Sequence, residues 1–117
     1  MKLGCFSVSL AVKDLAASMV FYRALGFEPV AGDPAQNFVI MQNGPTKVGL
    51  FQGMFEDNLM TFNPGWSESA EPLEEFTDVR ELKAQLAKAG IEAESAPIET
   101  DKGPGHFVIK DPDGNHI

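Results

Sequence analysis

Few side chains in this sequence can do chemistry by themselves. The chain carries two histidines, His106 and His116, and one cysteine, Cys5. A single cysteine excludes an intrachain disulfide and a cysteine-built zinc site, and Cys5 reads as a buried, inert thiol. The histidines flank the turn Asp111-Pro112-Asp113-Gly114. If that turn closes a hairpin, His116 pairs near Val108 or Ile109 and His106 lies two or three residues further along, roughly 8–11 Å away. Both imidazoles must bring a nitrogen within about 2 Å of one ion to share it, which that offset makes awkward. Neither histidine has a nucleophile beside it in sequence, so both read as surface or loop-packing residues rather than general bases.

The other polar clusters have equally plain readings. Asp101-Lys102-Gly103-Pro104-Gly105-His106 has the glycines of a phosphate loop, but no helix follows it and Pro104 removes an amide donor. It reads as a flexible turn. Glu74 and Glu75 belong to an acidic run with Glu68, Glu71, Asp78 and Glu81, which is a solvated face before it is an acid–base pair. Asp111 and Asp113 form the turn that contains them.

The elements that must carry these residues are clearer. Alternation over Cys5–Val12 puts Phe6, Val8, Leu10 and Val12 on one face of a strand, and Cys5, Ser7, Ser9 and Ala11 on the other. Asp14 caps a helix whose stripe Leu15, Met19, Tyr22 and Leu25 covers the apolar face, and Gly26 ends it. Strands follow around Glu28–Ala31, Asn37–Gln42 and Lys47–Gln52, broken by Gly32-Asp33-Pro34 and Asn43-Gly44-Pro45, and the last two form a hairpin. Asn58–Asn63 reads as a further strand, and an acidic loop delays a second helix with the stripe Val79, Leu82, Leu86 and Ala89, capped by Thr77 or Asp78. A weak strand around Glu92–Ala96 and a better one at His106–Lys110 complete the series. The returning strand after Asp111–Gly114 is cut to Asn115-His116-Ile117, so the last strand reads as incomplete.

Two stretches match in spacing. Asp14-Leu15 precedes Leu25-Gly26-Phe27-Glu28 as Asp78-Val79 precedes Ala89-Gly90-Ile91-Glu92, twelve residues from aspartate to glycine in each. The chain therefore reads as one domain of 117 residues built from a duplicated module, about 1–55 and about 56–117.

The bulk numbers narrow the partners. The composition is 44% hydrophobic and 22% charged, that of an ordinary globular protein, and the net charge of −8 disfavours nucleic acid and anionic membrane surfaces. Leu3-Gly4-Cys5 resembles a lipoprotein cleavage site, yet no apolar stretch precedes it, and no run approaches the ~20 residues of a membrane span. A cytoplasmic protein is expected.

The Asp-Leu helix starts, the run Phe21-Tyr22-Arg23-Ala24-Leu25-Gly26-Phe27, the closing Asp111-Pro112-Asp113-Gly114-Asn115 and the duplicated order together resemble the vicinal oxygen chelate superfamily, the glyoxalase, bleomycin-resistance and extradiol-dioxygenase fold. The resemblance covers nearly the whole chain. It implies an α+β fold in which paired βαβββ modules form a curled mixed sheet cup, with helices on the convex side and a small molecule inside. Metal-dependent members hold a divalent ion with His and Glu from the first, fourth, fifth and eighth strands. Those positions fall here on Ser7, on Gly49, within Leu59–Asn63, and just past Ile117, so the inherited metal site is expected to be lost, with no metal and no cofactor.

The resemblance leaves activity open. The first expectation is a metal-independent cup binding a small organic molecule, with sequestration of a toxic compound as one form. Its lining is Ser7, Ser9, Gly49, Phe51, Thr61 and Asn63, with Trp66 near the mouth. Phe51 reads first as core, while Trp66 divides between a lid over the cup and an anchor of its own loop. The alternative is a glyoxalase-like lyase or isomerase, or a dioxygenase, with atypical metal ligands. A protein-interaction module using the acidic loop is a third. A homodimer is expected, because short chains of this fold often complete their cup against a second copy and an unfinished last strand leaves an open edge.

Overall fold

The computed structural model describes residues 1–94 and 103–117. They fall into two compact units, Phe6–Thr61, and Met1–Cys5 with Phe62–Ile117. The strands are β1 (Cys5–Val12), β2 (Glu28–Asp33), β3 (Phe38–Asn43), β4 (Thr46–Gln52) and β5 (Leu59–Asn63), and the helices are α1 (Leu15–Ala24) and α2 (Val79–Lys88). One mixed sheet has the order β2-β3-β4-β1-β5, with β1 parallel to β4 and the β2-β3-β4 run antiparallel.

In the unit Phe6–Thr61, alternation decides which side chains α1 covers. Val39 and Met41 on β3, and Leu50 on β4, are fully buried, and Leu10, Val12 and Val48 pack with them. Leu15, Met19, Tyr22 and Phe27 close over this face, with the Tyr22 and Phe27 rings edge-on at 5.6 Å. Full burial of a side chain such as Leu50 stabilises by about 1.5–3 kcal/mol. Asp14 caps α1 by accepting from the Ala17 amide at 3.1 Å, and Gln52 Oε1 accepts from the Leu15 amide at 2.8 Å, tying the helix start to β4. Two expectations are corrected here. Leu25 is 55% exposed because the helix ends at Ala24 and its side chain turns out of the stripe, and Phe6 is 43% exposed although it shares the parity of Leu10.

The stretch Gly32-Asp33-Pro34 does not end β2 where expected. The strand runs on to Asp33, a bulge between Pro29 and Ala31 shifts its register against β3, and the turn is a short 3₁₀ segment, Pro34–Gln36, capped by Asp33. Pro29 and the bulge also blunt this edge of the sheet. The β3–β4 hairpin closes through Gly44-Pro45, with Asn43 opposite Thr46.

The other unit repeats the C-terminal end of that helix bond for bond, with an aspartate cap that accepts one residue earlier. Asp78 caps α2 by accepting from the Arg80 amide at 2.9 Å. At the C-terminal ends, Gly26 and Gly90 both take positive φ (94° and 88°), Phe27 donates to the Tyr22 carbonyl, and Ile91 donates to that of Leu86. The Asp-to-Gly spacing read in the sequence therefore encodes one capped helix used twice. Leu82 is the buried residue of α2, and Ala89 is exposed.

The later strands of the second module differ from expectation. Within Glu92–Ala96, residues 92–94 are not strand, and Ser95 and Ala96 lie outside the described residues. Among the described residues His106–Lys110 forms no ladder: Ile109 and Ile117 exchange two backbone hydrogen bonds of 2.9 Å around a single bridge, Lys110 with His116. One bridge is too few consecutive pairs for a strand. Asp111 tightens the turn between them, its side chain accepting from the amides of Asp113 and Asn115 and from Asn115 Nδ2 at 2.7–2.9 Å.

Candidate functional site

The face of the sheet opposite the α1 core has a different chemistry, set by register. Ser9 on β1 pairs with Gly49 on β4, which pairs with Ile40 on β3; two residues along, Ala11 pairs with Phe51, and Phe51 with Phe38. These residues share one parity, so they stand on one face. Ser9 is buried, and its Oγ lies 2.6 Å from Thr61 Oγ1 of β5. Either hydroxyl can be the donor.

Gly49 makes room for the neighbouring ring. A Cβ there would lie 2.7 Å from Phe51 Cε1 and 3.2 Å from Ile40 Cδ1, so the Phe51 ring occupies the space a side chain would take. Phe38 sits similarly against Gly32, where a Cβ would lie 2.9 Å from Phe38 Cε2. Phe38 and Phe51 are parallel to within 4° with centroids 5.6 Å apart, and Phe55 leans on Phe51 at 5.3 Å and 47°. All three rings are half-buried.

Of the expected lining, Ser9, Gly49, Phe51 and Thr61 are brought together. Ser7 is on β1 at the same parity as Ser9, half-buried. Asn63 and Trp66 belong to the other unit and build a turn there: Asn63 Oδ1 accepts from the Gly65 amide at 3.1 Å, the Asn63 carbonyl accepts from Trp66 at 3.1 Å, and Trp66 bridges to Pro72. Trp66 thus anchors its own loop through the backbone. Phe38 and Phe55 were missed. Phe38 was within reach, because counting outward from Asn43 and Thr46 across the hairpin places it opposite Phe51. Nothing in the irregular stretch around Phe55 announces its ring contact.

The titratable clusters of the other unit are self-contained. His116 pairs with Lys110 rather than with Val108 or Ile109, four residues from His106, which is exposed. Asp78 is held below the usual carboxylate range by the Arg80 amide and then its guanidinium, and Asp111 by the Asn115 side chain and then its amide. Asp101 and Lys102 of the glycine-rich loop lie outside the described residues.

The profile of the Glyoxalase/Bleomycin resistance protein/Dioxygenase superfamily matches residues 5–117. The chain belongs to this superfamily. A solved superfamily member from Vibrio splendidus 12B01 is 18% identical, covers 95% of this chain and 92% of its own, and superposes with a TM-score of 0.61, which supports the glyoxalase fold. The protein SMU.1112c is 22% identical over 94% of this chain and 92% of its own, with a TM-score of 0.33, too low to bear on the fold. No curated protein matches.

Metal-dependent members of the glyoxalase superfamily set a clear test for the face just described. At the positions corresponding to their ligands, Ser7 and Gly49 offer no imidazole or carboxylate, and the space beside Gly49 is filled by Phe51 and Ile40. No side chain able to ligate fits there without displacing a ring. Among the described residues no three of His, Cys, Asp and Glu come together to hold an ion. The residues of this face do not fit the superfamily's divalent ion. Nor is any described helix long and apolar enough to cross a membrane.

Proposed function

We propose that this glyoxalase-fold protein binds a small organic molecule on the β1-β4-β3 face without a metal ion, as a binding and sequestering protein. The observation that carries the reading is the part-buried Ser9–Thr61 hydroxyl pair set beside Gly49 and the half-buried ring of Phe51. A few fixed polar atoms against apolar and aromatic walls are what small-molecule sites are made of. The pair and the rings supply recognition rather than proton transfer: a hydroxyl becomes a nucleophile only with a base beside it, and among the described residues Ser9 and Thr61 bond only one another.

Ser7 belongs to the proposed lining by parity. A cytoplasmic homodimer is part of the proposal, and sedimentation of the full chain tests its assembly. The function itself is tested by calorimetric titration of Ni²⁺, Zn²⁺, Fe²⁺ and Mn²⁺ into chelator-stripped protein, with a thermal-shift screen of small organic molecules run in chelator. The reading expects no stoichiometric ion binding and a raised melting temperature with some organic ligands. Tight binding of one ion per chain would overturn it and favour a lyase or dioxygenase.

A further inference from the structure

The hydroxyl pair and the aromatic row together specify what the face takes. Two hydroxyls carry two O–H groups, and the 2.6 Å contact between Ser9 and Thr61 uses one of them. Among the described residues neither hydroxyl has another partner. One O–H is therefore left to donate outward, and because either oxygen can be the inner donor, the spare proton can be presented from either side chain. Ser9 is buried and Thr61 half-buried, so the spare O–H is presented at a part-buried position where an acceptor brought by a visitor can take the place of water.

The rings fix the body of that visitor. Phe38 and Phe51 are held parallel by their cross-strand pairing and by the glycines beneath them, Gly32 and Gly49, and Phe55 continues the row. A flat ring extends such a row in the offset geometry that aromatic pairs prefer, whereas a puckered ring meets it at fewer points. Phe51 reaches over Gly49, the residue paired with Ser9, and adjacent strands lie about 4.8 Å apart, so ring and hydroxyl pair are one strand spacing from each other.

We propose that the ligand is a flat aromatic molecule carrying an oxygen acceptor, such as an aryl carbonyl, that stacks along the Phe38–Phe51–Phe55 row and accepts a hydrogen bond from the Ser9–Thr61 pair. The proposal rests on the binding reading above and deepens it. Three probes separate its parts: acetophenone, cyclohexyl methyl ketone with the same acceptor on a puckered ring, and ethylbenzene with the flat ring and no acceptor. Each is titrated into the full-length chain and followed by amide chemical shifts.

Acetophenone is expected to give saturable shifts at Ser9, Gly49, Phe51 and Thr61, with each of the other two binding about three- to tenfold more weakly. Phe51→Leu should erase the preference for the flat ring, and Ser9→Ala with Thr61→Val the preference for the ketone. Equal affinity for acetophenone and cyclohexyl methyl ketone at those residues overturns the aromatic inference while leaving binding at the face intact. Equal affinity for acetophenone and ethylbenzene overturns the acceptor inference in the same way. Absence of saturable shifts there with all three overturns both the inference and the binding reading. The three-probe comparison uses the unmodified chain, so it does not depend on whether any variant folds.

Discussion

At Gly49 a missing Cβ lets Phe51 lie across the sheet. Gly49→Ala would put a carbon 2.7 Å from Phe51 Cε1 and 3.2 Å from Ile40 Cδ1. Its backbone is that of an ordinary strand, so the cost is overpacking, and a loss of about 1–3 kcal/mol in chemical denaturation is expected, with the Phe51 ring shifts moved. The Ser9–Thr61 contact is measurable as a coupling: a double-mutant cycle with Ser9→Ala and Thr61→Val should return about 0.5–1.5 kcal/mol. A coupling near zero would mean the hydroxyls do not bond in solution. At this scale the sequence was legible in part. The alternation of β1 put Ser9 on the non-core face, and parity joined Phe51 to Gly49. That a glycine and a phenylalanine two residues apart make one feature depends on the ring leaning back along its strand, a rotamer choice that parity does not contain.

The helices show how completely local chemistry can specify an element. Asp14 and Asp78 cap, Gly26 and Gly90 terminate, and the same backbone bonds recur after each. Asp14→Ala should therefore cost about 1 kcal/mol of stability in thermal or urea unfolding, the usual worth of such a cap. The Asp111 turn makes a pH prediction. Hydrogen bonds from Asn115 depress its folded-state pKa below the unfolded value, so its contribution is present above the unfolded pKa and is lost as pH falls through the lower, folded one. In a carboxyl-carbon NMR titration Asp111 should protonate at a lower pH in the folded chain than in the urea-unfolded one, and Asp111→Asn should remove the acid-dependent part of the turn's stability. The strands of the second module were less legible than the helices. His106–Lys110 has the composition of a strand, but a ladder depends on what pairs with it, and among the described residues one bridge forms. Tertiary pairing overrides propensity most readily in such short segments.

For the whole molecule, the order of elements and the duplicated helix identify the superfamily, and both are written in the sequence because they rest on spacing and caps. The activity is not written there, since the fold serves many chemistries. A net charge of −8 predicts that added salt raises the melting temperature modestly by screening self-repulsion, with most of the effect reached near physiological ionic strength. The central claim is that the face bearing Ser9, Gly49, Phe51 and Thr61 binds small organic molecules without metal. Its most direct test is amide chemical-shift mapping of the full chain against a library of small organic fragments, with a chelator present throughout. Saturable shifts clustered on Ser9, Ile40, Gly49, Phe51 and Thr61 are predicted. Fragments that perturb only residues elsewhere, or that perturb this face only in a parallel titration with a divalent ion in place of the chelator, would contradict it.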